Sequence, residues 1–368
     1  MKRIGILTYQ NALNFGAAFQ CRALYRFVRN HVEDKVEVLD YTSAVGYDKN
    51  SIRSVLRDRS LTFKSKVKMS LNVLCSIFVR QKFRTFYSDV AFSNHYNQDT
   101  FAQSADVYDV FLIGSDQLWN FELNGGDTNY LLPFVKQKNR IATYATSLGK
   151  ENIPAKYLKV FVESVKDIPF LSVREGVARN YIESLLPGKT VNLVADPVFL
   201  LQGSDWESLF EPVLQKQGPS FYLFHKKFYE KALSIANVLN IDHGRLTKIC
   251  GGLSALDFLN PKVKSGLFFG PTEALQAIAN SEVVFTDSFH CVAMSIILHV
   301  DFYVFLTGDK GRDARIENLL YQTGLCARIV TEDNYSNESI NWDIVDQNVR
   351  KMRDQSRAYL IDALSNLL

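Results

Sequence analysis

Short apolar runs rich in β-branched and aromatic residues alternate along the chain with longer stretches whose apolar positions recur every three or four residues. The runs at 4–8, 36–39, 110–113, 141–145, 171–173 and 191–194 predict strands, as do those at 221–224, 248–250, 283–286 and 302–305. The helical period fills the intervals. In the first of these, Phe19, Ala23 and Phe27 share one face with Leu24 and Val28 beside it, so Arg22, Arg26 and Arg29 are expected to point away. Strands alternating with helices over short connections predict parallel sheets covered on both faces, an α/β fold. Pro, Gly and Gln cluster between 197 and 220, where a boundary is expected. The expected organisation is an N-terminal α/β domain over 1–200, a C-terminal α/β domain over 201–341 and a terminal helix over 342–368.

Composition narrows the classes. With 368 residues, the chain is long enough for about two domains. Hydrophobic residues at 47% and charged residues at 22% exclude disorder as the main state. A formal charge of +3 gives no support to nucleic-acid binding. Five scattered Cys, with no CxxC, suit reduced thiols and predict neither a disulfide framework nor a metal site. The opening "MKRIGILTYQ" lacks the features of a signal peptide, and no apolar run reaches the roughly 18 residues of a membrane span. The expected location is the cytoplasm, including the inner face of the membrane. That last point rests on residues 51–87, which carry nine Lys or Arg and one acid, +8 against −5 for the rest. Apolar residues interleave with them inside an expected helical insertion at about 51–100. The stretch is either a basic helix that lies on an anionic membrane surface or a solvated helix face.

In open α/β sheets ligands bind beyond the carboxyl ends of strands. Polar clusters recur at those positions here. After 4–8 come Asn14 and Gly16 ahead of a helix, either an anion or sugar site or a simple cap. After 110–113 come Ser115, Asp116, Gln117 and Trp119, which suit an acceptor site with a base and a stacking platform, or else a cap and a core residue. After 171–173 comes Arg174, a fork for carboxylate or phosphate, or the partner of a nearby acid. After 283–286 come Asp287, Ser288 and His290, with His290 in the first turn of a helix apolar on every side. This setting favours a proton donor over a structural imidazole. His31, His95, His225, His243 and His299 lack such a setting. After 302–305, Lys310, Arg312 and Arg315 open a helix whose dipole disfavours cations, as expected where an anion compensates, or in a surface turn.

These strings in this order resemble the polysaccharide pyruvyl transferase family: "GILTYQNALNFGAAFQ", "VEVLDY", "DVFLIGSDQLWN", "RIATYATSLG", "LSVREG", "VADPVFLL", "VVFTDSFH" and "RIENLL". The basic stretch ending "RQKFRTFYSDVAFS" resembles the family's insertion. Cys291 stands where members commonly carry Gly, which is expected to crowd the pocket entrance. The resemblance implies two Rossmann-like domains in a GT-B-like arrangement with an interdomain cleft. It implies transfer of a pyruvyl group from phosphoenolpyruvate to a sugar of a surface polysaccharide or its lipid-linked precursor, giving a ketal and phosphate with no other cofactor. By the motif match, His290 and Arg174 correspond to residues of phosphoenolpyruvate binding and catalysis. Lys310, Arg315 and Ser288 join the donor site, and Asp116 or Asp287 is the expected base. Asn14, Gly16, Ser115, Gln117 and Trp119 are the expected acceptor contacts. The alternatives are a GT-B glycosyltransferase using a nucleotide sugar and a non-catalytic glycan-binding protein.

Overall fold

The strands expected from the apolar runs pair in parallel in the computed structural model, which describes residues 1–43, 77–211, 213–241, 246–250, 260–331 and 335–368. The chain separates into two units, Met1–Leu200 with Arg353–Leu368, and Leu201–Met352. Most of the basic stretch 51–87 lies outside the described residues. Its end, 77–86, is helical.

In the first unit, β1 (Arg3–Leu7) lies between β2 (Lys35–Val38) and β3 (Val110–Ile113), and β4 (Ile141–Thr143) flanks β3. A further parallel pair, β5 (Ser172–Val173) and β6 (Asn192–Leu193), lies beside β4, with isolated bridges from Ala142 to Phe170, just before β5, and from Thr146, beyond β4, to Val173. All four residues of β3 are buried, as a strand covered on both faces requires. The strand expected over 141–145 ends at Thr143, because Ala145 turns to φ +54°, a left-handed conformation no strand continues through.

The helix Phe15–His31 buries Phe19, Ala23, Leu24, Phe27 and Val28, as its period predicts. It sits so close to the end of β3 that a Cβ on Gly114 would come within 2.8 Å of Leu24 Cδ2. Arg22 departs from expectation. It is buried, with its guanidinium 2.8 Å from Asp89, bonded to the Phe86 carbonyl and lying over the Phe86 ring. The cause is the segment after residue 77, whose Phe83 and Phe86 pack on Phe15 and Phe19 and cover a face that the helix pattern alone leaves to solvent.

The second unit holds one six-stranded sheet ordered β12-β11-β10-β7-β8-β9. The strands are β7 (Pro219–Tyr222), β8 (Leu246–Cys250), β9 (Val263–Ser265), β10 (Val283–Thr286), β11 (Asp301–Phe305) and β12 (Ile329–Val330). Their edge members β9 and β12 escape the sequence pattern because they are two or three residues long and only half-buried. β7 runs two residues ahead of the expected 221–224. The N–H of Phe224 turns to the Asp287 carboxylate, which ends the ladder. The helix Phe289–Ile297 buries every residue except His290. The helix Trp342–Leu367 starts among the residues of this unit and ends in the first. There Arg353 donates to the Phe199 carbonyl, Tyr359 donates to that of Thr143, and Ser356 accepts from the Ala195 N–H.

Both sheets reverse their direction of winding once. In the first, the chain moves from β1 out to β2 and returns on the other side of β1 as β3. In the second, it moves from β7 to β8 and β9, then returns on the other side of β7 as β10. The loops at such a reversal splay apart and leave a crevice beyond the carboxyl ends of the two strands. One crevice therefore lies at Thr8–Gln10 and Gly114–Gln117, the other at Leu223–His225 and Asp287–His290.

Candidate functional site

In the first unit the polar residues after β3, β5 and β6 converge on Arg174. Its Nη1 lies 2.5 Å from Asp196 Oδ2 and 3.2 Å from Ser115 Oγ, its Nη2 3.4 Å from Asp116 Oδ1, and its Nε 3.3 Å from Glu175 Oε1. The residue is 5% exposed. Burial alone would lower its pKa, but the carboxylates of Asp196, Glu175 and Asp116 outweigh burial and hold the guanidinium above its ordinary range. This corrects the expectation that Arg174 offers an open fork to phosphoenolpyruvate. An incoming anion would face three carboxylates already seated on the cation. The alternative reading of the sequence, a partner for nearby acids, is the one the geometry fits.

Two acceptor contacts are corrected with it. Ser115 is fully buried and donates to Asp196 Oδ2 at 3.1 Å. Trp119 is 1% exposed and stands edge-on to Phe161 with ring centroids 5.2 Å apart, so it is a core residue and no sugar platform. Asn14 is exposed and caps its helix by accepting from the Ala17 N–H. Gly16 is buried inside the first helical turn with no positive φ. Gln117 stays partly exposed. Its Oε1 accepts from Asn120, and it fits only because Gly149, at φ +63°, has no Cβ, which would fall 2.0 Å from that oxygen. Asp116 is also partly exposed and adopts φ +80°, a conformation that costs a non-glycine residue about 1–3 kcal/mol and collects at functional positions.

In the second unit the crevice between β7 and β10 gathers Asp287, Ser288, His290 and a residue the sequence reasoning passed over, His225. Asp287 is fully buried. Its Oδ1 accepts from the Phe224 N–H at 2.9 Å, and its Oδ2 from the His225 N–H at 3.0 Å and the His225 Nδ1 at 2.6 Å. Among the described residues, the hydrogen bonds of this carboxylate run to the loop after β7. This corrects the expectation that Asp287 meets an acceptor hydroxyl directly. The signal for His225 was present in the sequence, since "LFHKK" follows an apolar run just as "TDSFH" does.

Ser288 begins the helix Phe289–Ile297, and its own N–H donates to Thr286 Oγ1 at 3.0 Å. His290, in the first turn of that helix, is half-buried, with its ring edge-on to Phe289. Cys291 is buried on the interior side, where burial pushes its thiol up to about 12. It packs inward, which corrects the expectation that it crowds an entrance.

The loop after β11 supplies the cations. Asp309 caps the helix Lys310–Thr323, and Asp313 accepts from the N–H groups of Thr307 and Gly308, so the loop is tied to the first turn. Lys310 is exposed there. Arg312 reaches back to the end of β10, with Nη2 3.3 Å from the Asp287 carbonyl oxygen and its guanidinium over the Phe224 ring. Arg315 is instead buried, 7% exposed.

A family model described as polysaccharide pyruvyl transferase matches residues 14–309. No curated protein matches the chain. Among solved structures, a UDP-N-acetylglucosamine 2-epimerase from Listeria monocytogenes, described as putative, superposes with TM-score 0.53 at 9% identity, covering 98% of this chain and 90% of its own. The UDP-GlcNAc 2-epimerase from Neisseria meningitidis, bound to UDP-GlcNAc, superposes with TM-score 0.50 at 10% identity over 99% of both chains. These likenesses show the fold, two Rossmann-like units of the GT-B type.

Proposed function

The chain belongs to the polysaccharide pyruvyl transferase family, and on that premise we propose that it transfers the pyruvyl group of phosphoenolpyruvate to a sugar of a surface polysaccharide or its lipid-linked precursor, forming a pyruvate ketal. The observation that carries this reading is the position of the TDSFH segment. It brings His290 and Ser288 to the crevice of the second sheet, within a motif that the family match includes.

The chemistry asks for an acid, a base and cations. Protonating the methylene carbon of phosphoenolpyruvate makes its C2 an electrophile. A first acceptor hydroxyl bonds to C2, and a second then displaces the phosphate and closes the ketal. His290 is the acid in this proposal. Lys310 and Arg312 meet the donor's negative charge, joined by the N–H groups at the start of the helix Phe289–Ile297. Holding two neighbouring hydroxyls against one carbon removes much of the entropic barrier. In the first unit, Tyr9, Asp116 and Gln117 are partly exposed polar residues of its own crevice.

The epimerases share the fold at about one residue in ten, so their nucleotide-sugar ligand lends no weight to a nucleotide-sugar donor here. Phosphate release from phosphoenolpyruvate, followed with and without a panel of saccharide acceptors, tests the reading. Acceptor-dependent release supports it. Folded protein that releases no phosphate with any acceptor contradicts it.

A further inference from the structure

The crevice between β7 and β10 holds an imidazole whose orientation is set by a buried acid. Asp287 is fully buried and lies 2.6 Å from His225 Nδ1, while the His225 side chain is 41% exposed. An ionised carboxylate only accepts, so Nδ1 carries the proton of that bond. The neutral ring then presents the lone pair of Nε2, which has no hydrogen-bond partner among the described residues. The N–H groups of Phe224 and His225 donate to the same carboxylate and fix the loop on which the ring stands.

From this geometry we propose that His225 is the general base of the transfer and that Asp287 is its positioning residue. The assignment rests on the pyruvyl-transfer reading above and deepens it. It resolves the choice of base left by the two carboxylates, since Asp116 is bound to Arg174 and Asp287 to His225 itself. In the reaction, His290 gives a proton to the methylene carbon, which becomes the methyl group. The first hydroxyl forms its bond to C2 as its proton passes to His225 Nε2. Asp287 stabilises the imidazolium so formed. The second hydroxyl then bonds to C2 as the C2–O bond to phosphate breaks. Its proton returns to His290, and His225 delivers its own to the departing phosphate. Two protons leave the hydroxyls; one replaces the proton placed on the methyl group and the other departs on hydrogen phosphate. The residues end as they began.

The test uses the full chain with phosphoenolpyruvate and an acceptor that supports phosphate release. His225→Gln keeps a side-chain donor for Asp287 and removes the base. Its kcat is expected to fall by about 10²–10⁴-fold with little change in KM for phosphoenolpyruvate. His225→Ala is expected to regain rate when free imidazole is added, because the site is open to solvent. Thermal unfolding of both variants separates loss of fold from loss of the base. An active wild type with unchanged kcat in His225→Gln overturns the assignment alone. So does a slow, folded His225→Ala that imidazole does not rescue. A wild type that releases no phosphate with any acceptor overturns the assignment and the pyruvyl-transfer reading together.

Discussion

Asp196 Oδ2 lies 2.5 Å from Arg174 Nη1, with both side chains almost wholly withdrawn from solvent. Removing one partner of a buried pair strands the other charge, at about 3–5 kcal/mol. Arg174→Gln, which strands the fully buried Asp196 carboxylate, is expected to lose about that much stability in urea denaturation, and Asp196→Ala less, because Glu175 and Asp116 still face the guanidinium. The same geometry predicts that Arg174→Gln acts on stability first, with no selective rise in KM for phosphoenolpyruvate. A variant of ordinary stability whose KM alone rises would return Arg174 to the donor site.

Trp119 gives a second contrast between core and ligand contact. It is packed edge-on to Phe161 at the end of β3. Trp119→Ala is expected to cost about 3–5 kcal/mol through the cavity it leaves. Trp119→Phe, which keeps an aromatic ring in place, is expected to retain affinity for the acceptor. Loss of acceptor affinity in a stable Trp119→Phe would mean that the indole meets sugar.

The thiols divide by burial. Burial pushes Cys21 and Cys291 up to about 12, whereas Cys326 is exposed. A thiolate reagent is expected to label Cys326 in the native protein and to reach Cys21 and Cys291 only on unfolding. Peptide mapping after timed labelling checks this. Rapid native labelling at Cys291 would place it beside solvent.

Glu37 supplies the pH dependence. Burial raises its pKa, but hydrogen bonds from Arg3, Lys35 and Tyr108 together outweigh this and hold it below its ordinary 4.5. A group whose folded pKa is depressed stabilises the fold above the unfolded value and loses that contribution as pH falls through the folded one. Acid unfolding of the wild type is therefore expected to draw on Glu37 below about pH 4.5. The stability gap between wild type and Glu37→Gln should be fully open at neutral pH and narrow in that window. A gap independent of pH would contradict the pairing.

The strand positions were legible because β3, β10 and β11 are apolar runs that burial on both faces demands, and the sequence pattern reports burial directly. The edge strands β9 and β12 were not, since an edge needs little apolar material. Partnering was the larger loss. Arg174, Asp287 and Trp119 all stand at strand ends, as expected, but only coordinates show that three acids already hold Arg174 and that Asp287 is turned onto His225. The strand-end position of His225 was readable from "LFHKK", but its nearness to Asp287 was not, because the pairing of β7 with β10 is topological and no local spacing records it. Arg22 was misplaced for the same reason, because its cover comes from residues more than 60 positions away.

The most direct measurement is acceptor-dependent phosphate release from phosphoenolpyruvate by wild type and by His290→Gln. The account predicts release by the wild type that requires a saccharide acceptor, and a fall of about 10²–10⁴-fold in the variant with its fold retained. Release that continues undiminished in His290→Gln, or no release by the folded wild type with any acceptor, would contradict it.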